Sequence, residues 1–167
     1  MASLKSEIAQ KQPFSSIEQE ALLNLLRTSD CLHSTIQQKT REWGLTSTQY
    51  NVLRILRGAG TQGLACAAVG ERLVTAEPDI TRLLARLKGL KLVRQHRDRR
   101  DRRVVLSHIT SAGLALLRAM DPAVQRAPKD LLGHLSMPQL AQMIRLLERA
   151  RQRCSCAQPA TGAGASP

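Results

Sequence analysis

Leu22, Leu25, Leu26, Leu32 and Ile36 recur mostly at threes and fours, and this spacing constrains the chain more than any other feature. Apolar residues at that interval share one face of an α-helix. Ser15-Ser16-Ile17-Glu18 reads as a capping box at its start, with Ser15 taking a free amide and Glu18 reaching back, and Gly44 ends the run. The helix spans about seven turns. A small domain cannot cover so long a stripe, which therefore suits a partner subunit.

The same period continues downstream. Thr46-Ser47-Thr48-Gln49 is a second capping box, ahead of Val52, Leu53 and Leu56. After a flexible connection marked by Gly58, Gly60 and Gly63, a short helix from about Cys66 to Leu73 turns Val69 and Leu73 inward. A further helix starts near Pro78, tolerated in a first turn, and buries Ile80, Leu83, Leu84 and Leu87. Thr110 caps a helix carrying Leu114, Leu117 and Met120, which Pro122 is expected to interrupt or bend. Ser136-Met137-Pro138-Gln139 opens the last helix, with Leu140, Met143, Ile144 and Leu147 on one face. One Trp, one Tyr and one Phe in 167 residues leave an aliphatic core, which favours helix over sheet.

The period changes once. Residues 92–96 and 104–109 read as two short strands around the stretch RDRRDRR, where Arg97, Arg99, Arg100, Arg102 and Arg103 are relieved only by Asp98 and Asp101. With a formal net charge of +12, the expected partner is anionic. Two short helices followed by a hairpin with a basic tip describe a winged helix-turn-helix. One helix enters the DNA major groove, and the wing reaches phosphates or a minor groove. On this reading Thr81, Arg82 and Arg86 lie off the buried stripe, where Thr81 and Arg82 can read base edges. Arg97, Arg99, Arg100 and Arg102 meet phosphate, and Arg103 enters the minor groove. Asp101 either orients Arg103 or serves only as a turn residue, and Asp79 is placed to accept from cytosine amino groups.

Other functions lack their residues. No apolar run approaches the roughly eighteen residues of a membrane span. The stretch MASLKSEIAQKQPF lacks an apolar signal segment, so a cytoplasmic protein with reduced thiols is expected. Cys31, among apolar neighbours, reads as inert core, and Cys66 as packing. Cys154-Ser155-Cys156 lacks a second pair at zinc spacing, so no metal site is expected. With no phosphate-binding glycine loop and no Ser/His/Asp signature, neither catalysis nor a cofactor is expected.

Leu45-Thr46-Ser47-Thr48-Gln49-Tyr50, Ile80-Thr81-Arg82-Leu83-Leu84-Ala85-Arg86-Leu87, Leu92-Val93, and Asp101-Arg102-Arg103 followed by Ile109-Thr110-Ser111-Ala112-Gly113 together resemble the MarR transcriptional regulators. The resemblance spans about residues 15–152. It implies a mainly α fold with a β-hairpin wing, the winged helix-turn-helix at about 46–110 and dimerisation helices at about 15–43 and 111–153. By composition, the polar residues 1–14 are expected to form a flexible N-terminus and the Gly-, Ala-, Pro- and Ser-rich residues 154–167 a disordered tail. The resemblance further implies a homodimer, joined through Leu22, Leu25, Ile36, Leu140, Ile144 and Leu147, on a palindromic operator in double-stranded DNA. Many members are repressors released by a small phenolic or other aromatic ligand, or by cysteine oxidation. The peroxide-sensing branch carries its cysteine nearer the helix start, at about Leu22, which favours a ligand over a redox sensor at Cys31 or Cys66. The chain departs from the family in two places: Lys91 stands where glycine is usual, and Ala76 replaces the usual serine cap, leaving Thr75 or Glu77 to substitute. A sequence-nonspecific nucleic-acid-binding protein and a protein-docking module are the remaining readings; the scarcity of aromatics argues against single-strand stacking.

Overall fold

The computed structural model describes residues 3–154. In chain order come α1 (Leu4–Glu7), α2 (Ile17–Arg41), α3 (Ser47–Ala59), a 3-10 turn (Gly60–Gln62), β1 (Leu64–Ala65), α4 (Cys66–Gly70) and α5 (Ile80–Gly89). They are followed by β2 (Val93–Arg97), β3 (Val105–Ile109), α6 (Ser111–Leu132) and α7 (Met137–Arg151). The fold is mainly α with a small antiparallel sheet in the order β1-β3-β2, as the sequence leads one to expect. The short strand β1 is the addition, pairing Leu64 with Ser107 and Ala65 with Leu106.

Local hydrogen bonds explain where the helices start. Gln49 N donates to Thr46 Oγ1 at 3.1 Å and Thr46 N to Gln49 Oε1 at 2.9 Å, the reciprocal box expected for α3. The α2 cap is one residue later than expected: Gln19 N donates to Ser16 Oγ at 3.2 Å, while Gln19 Oε1, not Glu18, receives Ser15 N at 2.7 Å. The α5 cap is neither Thr75 nor Glu77. Asp79 Oδ1 accepts Arg82 N at 2.8 Å, so the helix opens after Pro78.

Val52, Leu53, Leu56, Val69, Leu84, Leu87, Leu117 and Met120 are fully buried and join α3, α4, α5 and α6 in one core. Each such side chain contributes about 1.5–3 kcal/mol of burial. The long helices at the chain's two ends take little part. In α2 only Thr40 is buried, and in α7 no residue is. Ile17, Leu22, Leu25, Leu26, Ile144 and Leu146 stand exposed on them.

Of the two effects expected of Pro122, interruption does not occur: α6 continues through it and through Pro128 to Leu132. Tertiary packing outweighs the lost hydrogen bonds, since Leu117, Met120 and Ala127 on either side of Pro122 are buried. The polar N-terminal stretch carries the four-residue helix α1, whose Leu4 is buried and whose Glu7 pairs with Arg27 at 3.8 Å. The tail read as disordered lies, from residue 155 onward, outside the described residues. Among the described residues no helix is long and apolar enough to cross a membrane.

Lys91 sits at φ +60, the left-handed region. Its N–H donates to Lys88 O at 2.9 Å and the Leu92 N–H to Leu87 O at 3.0 Å, the pair of bonds that closes a helix where glycine is usual. Thr110 Oγ1 donates to Lys91 O at 2.8 Å and fixes this corner against the start of α6. Left-handed backbone costs a non-glycine residue about 1–2 kcal/mol, part of which the freer unfolded glycine would cancel. Lys91→Gly is therefore expected to raise stability by roughly 0.5–1 kcal/mol. Urea unfolding checks this: the midpoint should rise at an unchanged slope, and a lower midpoint would count against the strain.

Candidate nucleic-acid interface

Helix α5 divides cleanly. Leu83, Leu84 and Leu87 are buried, while Thr81, Arg82, Ala85 and Arg86 form an exposed face. Asp79 Oδ1 is engaged in the cap, and its second carboxylate oxygen is left on this exposed side. Cys66, half-buried at the head of α4, places its Sγ 3.6 Å from Thr81 Oγ1 and marks the crossing of the two helices. Cys31 is exposed, not inert core, because α2 carries that face away from the body of the chain.

The wing is braced by its two carboxylates. Asp98 N donates to Val104 O at 2.9 Å, and Asp98 Oδ1 accepts Arg100 N at 2.6 Å. Asp101 Oδ1 accepts Arg103 N at 2.9 Å and Arg103 Nε at 3.2 Å, so Asp101 is at once turn residue and holder of Arg103. These bonds from the Arg103 amide and guanidinium keep the Asp101 carboxyl below the ordinary aspartate value. Although paired with Asp101, the Arg103 side chain remains 92% exposed. Arg97, Arg99, Arg100 and Arg102 are also exposed, and Arg97 donates through NH1 to Arg102 O at 3.0 Å, which helps shape the loop. The turn role of Asp98 escaped the sequence reading, although Asp in a short loop is its usual signal.

Of the residues read as a dimer face, Leu22, Leu25 and Ile144 are exposed and Leu140 and Leu147 half-buried. Leu25, Met143 and Leu147 line a groove of about 420 Å³ between α2 and α7. Ile36 lines a second cleft of about 390 Å³ with His33, Tyr50, Arg54, Val124 and Pro128, bounded by α2, α3 and α6. There the Arg54 guanidinium lies 5.9 Å from the centroid of the Tyr50 ring, and burial raises the Tyr50 pKa. The Ser47 hydroxyl, also on this cleft, is buried without a hydrogen-bond partner among the described residues.

A model of the MarR family matches residues 43–104. The HTH-type transcriptional repressor NicR of Pseudomonas putida is 30% identical over 131 residues, 78% of this chain and 82% of the relative. The crystal structure of a MarR transcription factor from Planctomyces limnophilus is 39% identical, covers 82% of this chain and 99% of its own, and superposes with a TM-score of 0.63. The chain belongs to the MarR family of DNA-binding transcriptional regulators. BpsR of Bordetella bronchiseptica, whose DNA binding is regulated by 6-hydroxynicotinic acid, is 27% identical. Its match covers 75% of this chain and 94% of BpsR, with a TM-score of 0.66.

Within this MarR fold the base of the wing holds a buried histidine that sequence reasoning passed over. His108 is 4% exposed, and neither ring nitrogen has a hydrogen-bond partner among the described residues. Its ring stacks on His96 with centroids 4.5 Å apart, and presses on Gly63 so closely that a Cβ there would lie 2.4 Å from it. Burial first, then the charges of His96 and Arg94, lower its pKa below the ordinary histidine value. The unfolded chain therefore binds this proton more readily. Its contribution to stability is whole above the unfolded pKa of about 6.5 and is lost as pH falls from there towards the folded value. Thermal midpoints of wild type are expected to fall more steeply from pH 7.5 to 5.5 than those of His108→Leu. Parallel profiles would show that His108 does not supply the slope.

Proposed function

We propose that the chain is a homodimeric repressor that binds a palindromic operator with two α5 helices and two wings, and leaves it when a small aromatic acid fills the α2–α3–α6 cleft. The observation that carries the reading is the exposed Thr81–Arg82–Arg86 face beside a carboxylate-braced arginine wing, on a chain of net charge +12. In this assignment Arg97, Arg99, Arg100 and Arg102 meet phosphate, Arg103 enters the minor groove, and Thr81 and Arg82 read bases. The exposed leucines of α2 and α7 support the second copy, because a monomer would leave them in water. Such a protein works where duplex DNA is, in the cytoplasm.

The effector reading rests on chemistry. Arg54 supplies a cation for a carboxylate, while Ile36, Tyr50, Val124 and Pro128 supply walls for a ring. Resemblance to BpsR, whose DNA binding is regulated by 6-hydroxynicotinic acid, points the same way. A ligand that binds one spacing of the recognition helices better than the other shifts the population towards it.

Selection of bound sequences from a random duplex library tests the assignment. A two-fold symmetric motif is expected, and 6-hydroxynicotinic acid is the first effector to titrate against it. Recovery of no motif would favour nonspecific binding. Release by peroxide in wild type but not in Cys31→Ser or Cys66→Ser would overturn the ligand reading in favour of redox.

A further inference from the structure

Asp121 stands on α6 with its carboxylate on α3. Tyr50 Oη donates to its Oδ1 at 3.3 Å, and Arg57 NH1 donates to its Oδ2. Tyr50 and Arg57 are about two turns apart on one helix, so a single carboxylate grips α3 at two points. The ion pair is withdrawn from solvent, with the Asp121 side chain 17% and Arg57 33% exposed, and is screened less than a surface pair. Removing one partner would leave the other charge half-buried and unmatched.

The grip falls at a weak point of α6. Pro122 follows immediately and has no N–H, so the Arg118 carbonyl receives no helical hydrogen bond from it. Pro128 withholds one from the Val124 carbonyl in the same way. Beyond the joint, Asp130 pairs with Lys39 of α2 at 3.9 Å, which ties the far half of α6 to the arm. Among the described residues, Arg57–Asp121 is the ion pair that ties α6 to α3. Helix α3 in turn leads through β1 to α4 and α5.

We infer that Asp121 is a positioning residue for operator binding: its clamp at the proline joint sets the angle between the winged helix and the α2–α6 arm. In a dimer that angle fixes the distance between the two α5 helices, and so the half-site spacing the protein accepts. The inference rests on the homodimer-and-operator reading above.

The test uses the full chain, the selected palindrome, and duplexes with one base pair added or removed at the dyad. Wild type is expected to prefer the selected spacing by about tenfold or more, and Asp121→Asn to reduce that preference to under about threefold. A fold that is merely destabilised lowers the active fraction equally for every duplex, so it cannot change this ratio. The reversed pair, Arg57→Asp with Asp121→Arg, should recover part of the preference. Should Asp121→Asn prove unfolded, Tyr50→Phe, which removes a single hydroxyl, carries the same test. A wild-type preference retained in the folded variant overturns the clamp. A wild type indifferent to spacing overturns the operator reading itself, and the clamp with it.

Discussion

Gly113→Ala is expected to destabilise the protein by about 2–3 kcal/mol, although Gly113 lies inside α6, where alanine ordinarily gains about 1 kcal/mol. A Cβ at this position would lie 2.5 Å from the Leu92 carbonyl oxygen and 2.8 Å from Ile109 Cγ1. The carbonyl cannot withdraw freely, because it accepts Thr110 N at 3.0 Å. Leu92 also closes the exit of α5 through its own N–H. Relief of the clash must therefore move the recognition helix, the root of the wing or the start of α6, and operator affinity should fall along with stability. Gly89→Ala is the control. Nothing lies within 4 Å of a Cβ there, so that change should stabilise by roughly 0.5–1 kcal/mol. Urea unfolding of the two variants decides the matter, and shifts of the same sign would contradict the close approach at Gly113.

The larger effect on function is expected at the arm. Leu140→Glu with Leu147→Glu should yield a monomer and weaken operator binding by about 10²–10⁴-fold, because the second half-site contact ceases to be intramolecular. Both side chains are only half-buried within one chain, so the monomer's own core should survive the change. Sedimentation gives the mass and fluorescence anisotropy the affinity. A double variant that remains dimeric, or a wild type already monomeric at micromolar concentration, would remove the basis for the second copy.

What could be read in advance was whatever is local. Periodicity places the helices, and the box at Thr46–Gln49 and the opening at Ser136–Gln139 start two of them where the hydrogen bonds do. Strand β1 leaves no such trace, since two residues carry no period and its pairing with β3 crosses some forty positions. The same holds for Asp121, whose hydrogen bond to Tyr50 spans 71 positions. Periodicity also identifies a face without naming what covers it, and Ile36, expected on the dimer stripe, also lines the cleft. Gly113 was visible as part of a family signature; its reason, a carbonyl beneath the helix, needed coordinates. On the candidate interface, the exposed face of α5 followed from its buried one. The bracing by Asp98 and the commitment of Asp79 to a cap depend on loop geometry that composition does not carry.

The division of labour between α5 and the wing is open to one direct measurement. Affinities of wild type, Arg82→Ala and Arg103→Ala for the selected palindrome and a scrambled duplex would be compared across several salt concentrations. Arg103→Ala should weaken both duplexes, and each lost phosphate contact should flatten the salt dependence by about one unit. Arg82→Ala should instead erode discrimination, by roughly 1–3 kcal/mol at the base pair it reads. Unchanged affinities and slopes in Arg103→Ala would make the arginine cluster a solvated tip, and equal binding of both duplexes by wild type would leave no operator for α5 to read.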